Sequence, residues 1–138
     1  MNLWRQLYNT VWLAFFSCVL IPRWMGSFAG FPVHSTLGFL MAIVTLNNAG
    51  RLRKLPVPDR LKRVSKVTAG LSVFQLILGI ALSGVPHLAP NLPYVPSVLH
   101  GIHIVFALAI LSQASSVATG YDMWEEKEIG PASGDIRA

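Results

Sequence analysis

The sequence predicts an all-α integral membrane protein, a four-helix bundle with both termini cytoplasmic, and three observations carry that prediction. Of 138 residues, 53% are hydrophobic and 12% charged, whereas soluble domains carry about 25% charged residues. Four stretches, at about 7–21, 33–49, 67–85 and 98–118, approach the roughly 20 apolar residues that a bilayer-crossing helix needs. The third observation is a basic run between the second and third stretches.

The first stretch follows Arg5 but leads into IPRWMGSFAGFPVH with no small-x-small cleavage site, which predicts a retained helix rather than a signal peptide. It holds Cys18, the single cysteine of the chain, so no intrachain disulfide forms. Pro22, Pro32, Pro86 and Pro96 stand near the ends of the stretches, where proline stops a helix or occupies its first turn. Backbone groups cannot stay unpaired in lipid, so each stretch is read as a helix. Residues 1–120 form the transmembrane domain, and 121–138 a polar cytoplasmic tail expected to fray.

The basic run GRLRKLPVPDRLKRVSK, residues 50–66, contains seven of the eleven lysines and arginines and one acid, Asp59. The positive-inside rule makes it a cytoplasmic loop of a multi-pass protein in the cell membrane. Its charge of itself implies contact with anionic lipid headgroups, not with nucleic acid. All four histidines, His34, His87, His100 and His103, then fall on the outer side. No Asp, Glu, Lys or Arg lies within the four stretches, which argues against an ion-coupled transporter.

His103 lies roughly 10 Å along its helix from Pro96. At that depth an imidazole needs a partner, because an unsatisfied polar group in hydrocarbon costs several kcal/mol. A serine or carbonyl on a neighbouring helix would serve, and so would a metal. His100 and His103 share a face, but zinc takes three or four ligands, and the outer half supplies no carboxylate or second cysteine. Heme takes one or two axial histidines and an apolar pocket between helices. The expected ligands are His34 on helix two and His103 on helix four, with His100 as the alternative. Gly38 and Ala107 leave space one turn inward of them, and Gln75 and Gly79 share a face of helix three. Small residues in membrane helices also serve plain helix packing. His34 follows Pro32 by only about 3 Å, so tilt is expected to bring it level with His103. A weak internal repeat pairs helices one and two with helices three and four, each pair ending in a histidine-led helix.

FQLILGIALSGVPHLAPNLPYVPSVLHGIHIVFALAIL, with Gln75, Leu78, Gly79, Gly84, Pro86, Ser97, His103 and Ala107 at motif positions, resembles the third and fourth helices of a heme A synthase half. VHSTLGFLMAIV resembles that family's histidine-led second helix, with His34 at the ligand position. The resemblance implies a compact, half-size heme A synthase that oxidises a methyl group of heme O to formyl. It also implies a neighbouring heme O synthase or terminal oxidase as partner, and a homo-oligomer to bring two hemes together. The chain departs from the family at Phe31 and Ser35, where members carry a Glu regarded as catalytic and an Arg. Two further readings therefore stand beside the enzyme: a small b-type cytochrome passing electrons between quinol and a terminal oxidase, and a membrane subunit without cofactor.

Overall fold

A computed structural model describes residues 3–19, 27–88, 91 and 94–129. They form four helices and no strand: α1 Leu3–Val19, α2 Ser27–Arg53, α3 Asp59–Leu88 and α4 Val95–Ile129. Each helix packs against two others, α1 on α2 and α4, and α3 on α2 and α4. Neighbours run antiparallel, since Arg51 near the end of α2 meets Gln6 near the start of α1, and Gln113 on α4 meets Thr68 on α3.

The helices outrun the apolar stretches that signal them. Of the basic run 50–66, only residues 54–58 lie between helices, because lysines and arginines are good helix formers and carry a helix into water. The α2–α3 corner is closed by backbone bonds from Lys54 to Arg51 (3.1 Å) and Leu61 to Pro58 (2.9 Å). At the other end of the chain, α4 continues through residues 121–129, part of the expected frayed tail. Packing explains it: Tyr121 joins Leu3, Leu7, Leu52, Val57, Leu61, Val117 and Ala118 in a buried cluster, and Trp124 packs against it. Pro32 is a further departure, sitting inside α2 rather than at its edge. His87 likewise falls within α3 rather than in a loop.

Among the described residues, two helical segments, Asp59–Ser83 and Val95–Glu128, are long and apolar enough to cross a membrane by length and composition. Only 28% and 6% of their apolar windows are buried. Large side chains such as Trp12, Phe39, Ile77, Ile80 and Val105 are exposed, while Gln6, Thr10, Thr45, Asn48 and Thr68 are buried.

Candidate functional site

The helix starts set the depth of the two histidines. His34 comes seven residues after Ser27, and His103 eight after Val95, about 10 and 12 Å along their helices. The expectation that tilt must level them rested on starting helix two near Pro32. The actual start is more than one turn earlier, and the match follows from helix length. The two imidazoles face each other with ring centroids 6.0 Å apart and planes inclined by 57°.

Both rings line a cavity of about 1080 Å³ to which all four helices contribute, slightly above the roughly 300–1,000 Å³ usual for ligand sites. Gly38, Gln75, Gly79, Ala107 and His100 line the same cavity, so every expected ligand-site residue is brought to one place. Nδ1 of His34 and Nδ1 of His103 are buried with no hydrogen-bond partner, as is Oε1 of Gln75. A buried polar group left unpaired costs about 1–3 kcal/mol. All three atoms belong to residues that line the cavity, and each is itself covered by protein.

The surroundings hold His103 firmly. Gln75 Nε2 donates to the His103 carbonyl at 2.7 Å, tying α3 to α4 at this level. A Cβ built on Gly79 would stand 3.4 Å from His103 Cε1, so the glycine lets the ring lie directly against α3. At Gly38 the equivalent atom would be 3.9 Å from Leu76 Cδ1, and there the missing side chain also serves the α2–α3 approach. The His34 ring lies beside the Ser17 backbone of α1. Below the cavity a layer of Ala14, Met41 and Ile110, each buried, separates it from the rest of the bundle.

His100 is exposed, one turn nearer the start of α4 than His103. The side chains of Phe31, Gly84, Pro86 and His87 lie outside the described set. The sequence reading overlooked the contribution of α1, whose Ser17 and Cys18 line the cavity. Their position one turn and less from the buried Ala14 was the available signal.

Two imidazoles holding one ion from opposite sides, with metal–nitrogen bonds of about 2 Å, place their ring centroids roughly 6 Å apart. The 6.0 Å between the two rings matches that separation. Among the described residues no group of three or more His, Cys, Asp or Glu side chains is placed to hold a metal ion, so a zinc site of three or four protein ligands is not built here. Comparison with known protein families, characterised proteins and solved structures gave no match.

Proposed function

We propose that the protein is a multi-pass membrane protein that binds one heme between His34 and His103. The observation that carries this is the pair of neighbouring imidazoles, 6.0 Å apart, lining a cavity of about 1080 Å³. His34 and His103 would be the axial ligands, and heme supplies one-electron iron chemistry when bound. Gln75 fixes the α4 backbone at the ligand, Gly79 makes room for the ring, and the Ala14–Met41–Ile110 layer keeps water from reaching the cavity from below.

The membrane part of the proposal rests on the exterior of the bundle. A soluble bundle buries most of its large apolar residues; here many, Trp12, Phe39, Ile77 and Val105 among them, are exposed on the helix surfaces, while Gln6, Thr10, Thr45, Asn48 and Thr68 lie inside beside an apolar cluster. Lipid is the solvent that suits such an exterior. The basic end, with Arg51, Arg53, Lys54, Arg60, Lys62, Arg63 and Lys66, belongs on the cytoplasmic side of the cell membrane by the positive-inside rule. Both termini share that side, and the cavity opens toward the other.

For the reaction, the resemblance supports a compact heme A synthase converting heme O to heme A, with a heme O synthase or terminal oxidase as neighbour and a second copy supplying a second heme. A specific observation favours the second reading, an electron-carrying b-type cytochrome: the described residues lining the cavity include no carboxylate, and Phe31 and Ser35 occupy the positions of the family's Glu and Arg. A reduced-minus-oxidised absorbance spectrum of the detergent-purified protein, with its pyridine hemochrome, tests the proposal. One heme per chain is expected, and an o- or a-type chromophore favours the synthase while a b-type favours the carrier. A flat spectrum after heme supplementation during expression would leave the histidines as packing residues.

A further inference from the structure

A second polar site lies one helical turn below the histidine cavity and shares no lining residue with it. Thr10, Thr45, Asn48, Ser65 and Thr68, with Leu7, Ala114 and Val117, surround a void of about 10 Å³. On that scale one water needs about 10–15 Å³ and two to four polar partners. Asn48 is 4% exposed, and its Oδ1 is buried without a hydrogen-bond partner. The other half of the same amide is satisfied, because Nδ2 donates to Thr10 Oγ1 at 2.8 Å.

Three of the four hydroxyls around the void, those of the threonines, present lone pairs rather than protons, and the Ser65 hydroxyl is free to donate or accept. Thr10 donates to the Gln6 carbonyl (2.8 Å) and Thr45 to the Met41 carbonyl (2.9 Å). Thr68 donates to the Val64 carbonyl (2.9 Å) or to Gln113 Oε1 (3.1 Å). An acceptor-rich pocket calls for a ligand that donates. The lining carries no carboxylate, and an unpaired cation in so apolar a surrounding is far costlier than a neutral donor.

We propose that this void is the site of an ordered water that donates to Asn48 Oδ1 and to a threonine hydroxyl, and that bridges the two helical hairpins at mid-bundle. The bridging role follows from where the direct bonds lie. Asn48 to Thr10 and Arg51 to Gln6 join α2 to α1, within the first hairpin. Thr68 to Gln113 and Gln75 to His103 join α3 to α4, within the second. Tyr8 reaches Asp122 between hairpins, at 3.4 Å. The void touches Thr10, Thr45 and Asn48 of the first hairpin and Ser65 and Thr68 of the second, so a water there bonds across the seam. Three hydrogen bonds are usual for a buried water.

Water-edited solid-state NMR on the full chain in deuterated-lipid bilayers, labelled at Asn and Ala, tests this. Asn48 is assigned by the signal missing from Asn48→Leu. The expected result is transfer of water magnetisation to the Asn48 side-chain carbonyl but not to Ala118, which is fully buried in the apolar cluster and lines neither cavity. Thr45→Val, of the same shape but one acceptor poorer, is expected to weaken that transfer with helical content unchanged. Transfer to Asn48 no faster than to Ala118 would overturn the proposal. So would a melting temperature that rises with sodium but not with choline chloride while transfer is absent, which would assign the void to a cation. The measurement needs no heme, so its outcome is separate from that of the absorbance spectrum.

Discussion

Gly79 is where the packing around His103 can be changed one carbon at a time. In Gly79→Ala the new Cβ would meet His103 Cε1 at 3.4 Å, an ordinary contact. Alanine in a helix is also favoured over glycine by about 1 kcal/mol. This variant should melt at or above the wild-type temperature and keep its heme. In Gly79→Val the γ carbons extend about 1.5 Å beyond Cβ, and no rotamer that points one of them at the ring leaves the imidazole in place. Overpacking of this kind costs about 1–3 kcal/mol. If the ring yields rather than the helix, that cost falls on the ligand and lowers heme affinity by roughly one to two decades. Pyridine hemochrome stoichiometry against a heme titration measures the affinity, and far-ultraviolet circular dichroism confirms the helices. Wild-type heme affinity in Gly79→Val, with a wild-type spectrum, would refute the placement of a ligating His103 against α3.

Three further outcomes are expected. His34→Ala and His103→Ala should each lose most of the heme, whereas His87→Ala should retain it; full retention in His103→Ala with loss in His100→Ala would move the ligand by one turn. Thr10→Val removes the acceptor for Asn48 Nδ2 and should destabilise the bundle by about 1–3 kcal/mol, while Thr36→Val, whose hydroxyl makes an exposed bond to the Pro32 carbonyl at 2.8 Å, should stay within about 0.5 kcal/mol, both read as thermal melts in one detergent. Pro56→Cys in a Cys18→Ser background should react with a membrane-impermeant maleimide only in inverted vesicles, and labelling in intact cells would reverse the assigned orientation.

The features most legible in the sequence were those governed by apolar length. Four apolar stretches gave four helices, and the histidines at 34 and 103 proved to share a cavity with Gly38, Gln75, Gly79 and Ala107. Helix ends were less legible, since lipid-crossing length says where a segment becomes apolar and nothing of where its hydrogen bonding stops. Arg60 to Lys66 extend α3 and Tyr121 to Ile129 extend α4 for that reason. Pro32 misled for a different one, because a proline's local preference is overridden when the helix around it packs on its neighbours. The buried polar stripe is less legible because uncharged Gln, Thr, Asn and Ser barely interrupt the apolar character of a stretch. Its spacing was present all the same: Gln6 and Thr10 are four apart, Thr45 and Asn48 three, and Ser65, Thr68 and Ser72 three and four, the repeat of one helix face.

The histidine pair has a consequence for how the protein is made. His34 and His103 are 69 residues apart in the chain (103 − 34), and a ribosome adds about 5–20 residues per second. For roughly 3–14 s, on that rate, α1 and α2 exist with a lone histidine and no opposing ring. During that interval the first hairpin has its own ties, Asn48 to Thr10 and Arg51 to Gln6, and can persist as a tied pair. The two-ring arrangement is completed only when α4 arrives, so a chain interrupted before it has no second ring to set against His34.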